Sequence, residues 1–242
     1  MLGVLLVGSR SRGHDDPTSD DDLEVLLAPA AYARLGPAEC LELLEQGEGP
    51  TRRLVWDAEY LGLAELEARV DSPFDLDHWP YERARILFDR DGRSTAAVQT
   101  LATMDDAFRA ARLRHGVIDA VTAARRSART LERGAGEAAV RMNVARSAKA
   151  LVRVVFALER RWAPLDHWLE AELRTLEDPA GAGPRIVEAV ATGRPAPLLA
   201  AIDALWPRLE AEGLPPASAR LGLFLELIHP GRAAERARHG LS

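Results

Sequence analysis

The spacing of hydrophobic and polar positions changes once along this chain, near residue 104. Before that point, short apolar runs of strand length end at turn-forming residues: Val4-Leu5-Leu6-Val7 stops at Gly8-Ser9, and Leu23-Glu24-Val25-Leu26-Leu27 follows a polar loop. Residues 29–44, with Leu41, Leu43 and Leu44, predict a helix ended by Gly47-Glu48-Gly49-Pro50. Arg53 to Leu61 alternates as a strand, 63–70 predicts a short helix, 73–80 a loop, and 82–89 a last strand stopped at Asp91-Gly92. After Met104 the pattern is helical, over 105–133, 136–161, 167–177, 185–191, 197–212 and 217–228. The expected fold class is α+β, with a mixed sheet and flanking helices in residues 1–97 and an antiparallel helical bundle in 98–242. The first strand begins at Met1 with nothing before it, so one flank of its helix layer lacks a filler unless a helix precedes it.

The second strand opens with acids, Asp20-Asp21-Asp22-Leu23-Glu24. Alternation places Asp20, Asp22 and Glu24 on one face and Leu23, Val25 and Leu27 on the other, which predicts a carboxylate face backed by a core face. Like charges at this spacing repel, and a divalent cation between them reverses the sign of the interaction. Mg²⁺ suits such a site, because it is held by one or two carboxylates together with substrate phosphates. Gly8 permits close approach of the backbone to a ligand. A calcium loop is excluded, since no glycine follows the acids and no glutamate closes the loop. The dinucleotide fingerprint is excluded by the spacing of Gly8 and Gly13.

Gly8-Ser9, a ten-residue spacer and Asp20-x-Asp22 together resemble the signature of the DNA polymerase β-like nucleotidyltransferase superfamily, in its small-molecule, aminoglycoside-type branch. That branch's wording, Gly-Ser-x-x-Arg and then Ser-Asp-hydrophobic-Asp/Glu, falls on Gly8, Ser9, Arg12, Ser19, Asp20 and Asp22. The chain departs from it at Asp21, where an apolar residue is usual, so Asp22-Leu23-Glu24 is a second framing. The resemblance covers about a tenth of the chain. It implies a nucleotidyltransferase-type catalytic domain at 1–97, with Gly8, Ser9, Arg12 and Ser19 toward a nucleoside triphosphate, ATP or another. Asp20 and Asp22 would hold Mg²⁺ and carry catalysis, and a third acid on the next strand would be Asp57, with Glu59 as alternative. The implied activity moves a nucleoside monophosphate, AMP from ATP, onto a hydroxyl of a small molecule such as an aminoglycoside-like antibiotic, releasing pyrophosphate. A protein or tRNA acceptor, as in antitoxin-type relatives, and a non-catalytic nucleotide-binding relative are the alternatives.

Composition adjusts this picture in three places. The net charge of −6 argues against a general nucleic-acid surface and suits a cationic or neutral acceptor. A single cysteine, Cys40, excludes an intramolecular disulfide and is expected as a small buried apolar residue. No run of ~18 apolar residues and no signal peptide is evident, so a cytoplasmic protein without a membrane span is expected. Of the 31 basic residues only Lys149 is lysine. It sits seven residues from both Met142 and Phe156, and this lone compact ammonium in an apolar stripe is assigned to the nucleotide phosphates. Asp75, Asp77 and His78 carry metal-ligating groups, and Arg109-x5-His115 falls in the loose Arg/His spacing of HEPN-type ribonucleases. Exposed loops commonly hold the first set, and chance explains the second in so arginine-rich a chain.

Overall fold

The computed structural model describes residues 1–239 and divides into two compact units, Met1–Thr103 and a second beginning at Met104. In the first, β1 (Gly3–Val7), β2 (Asp21–Leu27), β3 (Leu41–Gln46), β4 (Arg53–Gly62) and β5 (Arg85–Asp89) form one sheet in the order β3-β4-β2-β1-β5. Only β2 and β4 run parallel; the other three pairings are antiparallel. Five-residue α1 (Gly8–Arg12) follows β1 directly, and α3 (Leu63–Ala68) follows β4. The ten-residue helix α4 (Arg93–Ala102) stays with this unit, through Ala97, Val98 and Leu101 in its core, so the chain parts six residues beyond the expected boundary at 97.

The expected helix over 29–44 is not formed. A four-residue helix, α2 (Pro29–Tyr32), starts at Pro29, where a missing N–H costs nothing, and Gly36-Pro37 then opens a separate 3₁₀ turn. The leucines beyond belong to the edge strand β3, whose pairing with β4 is interrupted between Leu44 and Glu45. The adjacent leucines at 43 and 44, ahead of that irregularity, mimic a helical stripe in the sequence. Cys40, before this strand, is half-buried rather than buried, and its thiol donates to the carbonyl of Gly36 at 3.5 Å.

A second correction concerns the faces of the sheet. Residues 22, 24 and 26 of β2 share one face, and Leu26 belongs to the unit's core with Leu5, Val7 and Leu61 on the neighbouring strands and Leu63, Leu66, Tyr81 and Leu101 from the layer above. The carboxylates therefore lie on the core face, at its open end, and not opposite it.

The second unit is helical: α5 (Asp106–Glu132), α6 (Glu137–Leu158), α7 (Leu169–Leu173), α8 (Ala182–Thr192), α9 (Ala196–Ala211), α10 (Arg220–Leu227) and α11 (Ala233–Arg238). Asp105 caps α5 by accepting the N–H of Phe108 at 2.9 Å. Helices α5 and α6 form an antiparallel pair, in which Gly116 lets Val154 approach so closely that a Cβ would meet its methyl at 2.8 Å. Buried hydroxyls tie the pair: Ser127 donates to the carbonyl of Val140 and Ser147 to that of Ala120. No helix among the described residues is long and apolar enough to cross a membrane.

Candidate metal and nucleotide site

Cross-strand register decides which acids meet. Asp22 lies opposite Val7 on β1 and Asp57 on β4, and Glu24 lies opposite Leu5 and Glu59. The face thus grades from Asp22 and Asp57 at its open end, through Glu24 and Glu59, to Leu26 and Leu61 in the core. Asp20, just ahead of β2, completes a cluster: one carboxylate oxygen from each of Asp20, Asp22 and Asp57 lies within 4.8 Å of the others. Burial, and then the charges of Asp20, Asp57 and Asp21, raise Asp22 to a pKa of about 6, although the backbone N–H of Ser9 acts the other way. Burial, followed by Asp20 and Glu59, raises Asp57 as well. Three half-buried carboxylates this close repel one another, and a divalent cation would relieve that repulsion, so the donor set fits a hard, oxygen-seeking ion.

Gly8 is tied to this cluster by contact. Its φ is +68°, and a Cβ there would fall 1.8 Å from the Oδ2 of Asp22. The sequence suggests a glycine that clears space for a ligand; the structure shows one that clears space for a carboxylate. Ser9 is buried, and its backbone N–H bonds the same carboxylate.

The remaining sequence candidates occupy other roles. The guanidinium of Arg12 is buried, donates to the carbonyl of Trp79 at 2.8 Å and to Glu82 at 3.1 Å, and stacks 4.0 Å over the Trp79 ring. The hydroxyl of Ser19 accepts the N–H of Asp16 at 2.9 Å and braces the loop. Lys149 lies on α6 in the helical unit, is 67% exposed and pairs with Asp166 at 2.8 Å. Met142, one end of its supposed apolar stripe, is 75% exposed while Phe156 at the other end is fully buried, so the three residues do not share one apolar face. Glu59 is exposed and outside the cluster. Asp77 accepts the hydroxyl of Ser72, and both ring nitrogens of His78 lie against carbonyls, those of Leu101 and Ser72. Arg109 spans the Ala157 carbonyl and Glu212, and His115 is buried against Glu235, so these two are engaged within the helices.

Three residues near the site escape a reading of the sequence. Arg10 donates to the carbonyls of Asp20 and Ser19 at 2.9 and 2.7 Å and pairs with Asp21 at 3.2 Å, which fixes the backbone that presents Asp20. Its signal was present in Gly8-Ser9-Arg10, two residues before the arginine that the motif favours. Tyr81 and Arg69 had no signal. Tyr81 donates to Glu24 at 3.0 Å and accepts from Arg69 at 2.7 Å. Glu24 is nonetheless raised to a pKa of about 7, because burial outweighs that hydrogen bond and the Arg69 charge, and its Oε2 has no hydrogen-bond partner among the described residues.

Residues 80–169 match the model of a family described as a domain of unknown function, DUF4037, a segment that lies outside all three clustered aspartates. No curated protein matches the chain. Among solved structures, the chain is similar to the crystal structure of a nucleotidyltransferase-like protein from Exiguobacterium sibiricum, at 14% identity and a TM-score of 0.46, over 99% of this chain and 82% of that one. The mixed five-stranded sheet with flanking helices, followed by a helical region, is an α+β arrangement.

Proposed function

We propose that the first unit is the catalytic domain of a divalent-cation-dependent nucleotidyltransferase that moves AMP from ATP onto a hydroxyl of a small cationic molecule of the aminoglycoside-like kind and releases pyrophosphate. The observation that carries this reading is the convergence of Asp20, Asp22 and Asp57 to within 4.8 Å at the open end of a sheet face. Those three would hold Mg²⁺, which when bound supplies charge neutralisation to the triphosphate and the attacking oxygen. The chain's own residues provide the positioning. Ser9 orients Asp22 through its N–H, Gly8 leaves room for that carboxylate, and Arg10 fixes Asp20 from behind. In the transfer, an oxygen–phosphorus bond forms between the acceptor hydroxyl and the α-phosphate as the bond to the β-phosphate oxygen breaks. The hydroxyl proton passes to Asp57.

A cationic acceptor is favoured by the charge of this unit: residues 1–103 carry 10 basic and 20 acidic side chains. Arg12 and Lys149 enter as proposed phosphate contacts that must first give up partners, Arg12 from Trp79 and Glu82, Lys149 from Asp166. The test is pyrophosphate release with each of four nucleoside triphosphates against aminoglycosides, lincosamides, nucleosides and tRNA. Release that needs an amine-rich small molecule, ATP and Mg²⁺ supports the reading. Release only with tRNA reassigns the acceptor, and no release under any pairing, with ATP still bound, makes the protein a non-catalytic nucleotide binder.

A further inference from the structure

A groove in the helical unit, between α5 and α10, has a volume of about 510 Å³ and is lined by five arginines and no acid. Arg125, Arg126, Arg129 and Arg133 come from the last turns of α5, and all four are exposed. None of these four has an ion-pair or hydrogen-bond partner for its side chain among the described residues. By contrast, Arg109, Arg114, Arg141, Arg146, Arg161 and Arg232 each hold a carboxylate. The fifth, Arg220, lies over the Trp206 ring at 3.9 Å and bonds Asp203. Leu221 and Phe224 of α10 and Ile118 of α5 give the groove an apolar side.

We infer that this groove binds a single strand of nucleic acid through its phosphates, with Phe224 as a face for a base. Arg125, Arg129 and Arg133 recur every four residues, which spaces them about 6 Å apart along one side of the helix and suits successive phosphates of an extended strand. Guanidinium forks bind phosphate oxygens in pairs, and a half-exposed aromatic ring beside a cationic track is the arrangement that receives unpaired bases. The whole-chain charge of −6 conceals this surface because the charge is segregated: residues from Met104 onward carry 21 basic and 17 acidic side chains, against the acidic excess of the first unit. Arginines near a helix C-terminus also complement the helix dipole, but that effect is confined to the last turn, and Arg125 and Arg126 lie before it.

The test uses the full chain in EDTA without any nucleoside triphosphate, so that its outcome is independent of catalysis. Fluorescence anisotropy would follow labelled RNA and DNA single strands of about twelve nucleotides. Binding of either is expected, with log K falling against log salt at a slope of about −2 for three phosphate contacts. Combining Arg125→Ala, Arg129→Ala and Arg133→Ala should weaken binding at least tenfold and remove most of that slope. Phe224→Ala should weaken it about fivefold at unchanged slope, as lost stacking carries no counterion release. Arg174→Ala, a change at an exposed arginine outside the groove, should alter nothing. The inference is overturned if the wild-type chain binds neither strand at about 50 mM salt, or if the triple variant, shown folded by its thermal unfolding, binds as well as wild type. It is equally overturned if polyglutamate displaces the strand at matched charge concentration, which would assign the groove to an acidic protein.

Discussion

The molecule carries two rows of like charge, and they are built in opposite ways. On the sheet, Asp20, Asp22, Glu24 and Asp57 stand against the core, where burial, and then their mutual repulsion, lifts Asp22 to about 6, and burial lifts Glu24 to about 7. On α5, four arginines stand in water, where solvent screens their repulsion and little is required of the fold. A desolvated row is costly unless a cation enters it, whereas a solvated row persists without a ligand. The first therefore reports on a tightly specified site and the second on a surface for polyanions, whose affinity depends on salt.

The largest effect should come from the desolvated row. Asp22→Asn is expected to lower nucleotidyl transfer by at least about a hundredfold, since cation-dependent charge stabilisation is worth several kcal/mol. The same change should raise the melting temperature of the cation-free protein, because it removes a carboxylate that is repelled by Asp20 and Asp57. Calorimetry with Mn²⁺ and thermal unfolding in EDTA check the two halves. A variant that loses activity and stability together would break the contrast, showing Asp22 to be a structural residue.

Gly8→Ala comes next. A left-handed backbone costs a side-chain-bearing residue about 1–2 kcal/mol, and the new methyl would overlap the Asp22 carboxylate. Cation affinity should fall along with stability. In Gly8→Ala combined with Asp22→Ala, the steric part vanishes and the two stability changes sum to less than their separate values. Strict additivity would show that Gly8 serves only the turn.

The pH dependence is a smaller and more specific effect. Both Glu24 and Asp22 hold protons more tightly folded than unfolded, so between about pH 4 and 7 their contribution to stability falls as pH rises, against an opposite contribution from His239, which burial lowers to about 4. Glu24→Gln should flatten the upper part of the slope, around pH 7, and saturating Mg²⁺ the part near pH 6. Urea unfolding at half-unit intervals measures both. A Glu24→Gln curve that runs parallel to wild type from pH 4 to 7 would contradict the burial of Glu24 against the core.

How much of this was legible in the sequence depended on whether the signal was local. Strand alternation is local, and it placed Asp22 and Glu24 on one face and identified β4 with Asp57. The same alternation extended two residues further reaches Leu26, which already shows that the acid face is also the core face. The edge strand β3 reads as a helix because its adjacent Leu43 and Leu44 mimic a helical stripe, and only the pairing with β4 reveals the strand. Tyr81 and Arg69 reach Glu24 from 57 and 45 residues away in the chain, beyond any periodic pattern. Arg12 fitted a motif, yet its side chain was claimed by Trp79 and Glu82, partners that no spacing rule names. The arginines of α5 were visible as helix-face residues, but only the fold shows that they lack the carboxylates that hold their counterparts elsewhere.

Lys149 should give the smallest effect, and its magnitude is bounded by its solvation. The compositional argument required an ammonium held partly out of water, where a phosphate contact gains strength. At 67% exposure and bonded to Asp166, the ammonium is instead in the regime of surface ion pairs, each worth no more than about 1 kcal/mol. Exchange of Asp166 for a nucleotide phosphate can then change kcat/KM by about fivefold at most. Lys149→Met should reach that limit and Lys149→Arg should cost little, since in solvent either cation serves. Asp166→Asn supplies the opposite sign: it frees the ammonium from its competitor and should raise kcat/KM slightly if the phosphates are its target. All three variants should unfold within a degree or two of wild type. Unchanged kinetics across the set would leave Lys149 as half of a surface pair, whereas a loss well beyond fivefold in Lys149→Met would mean that nucleotide binding desolvates a site that is open to water in the free protein.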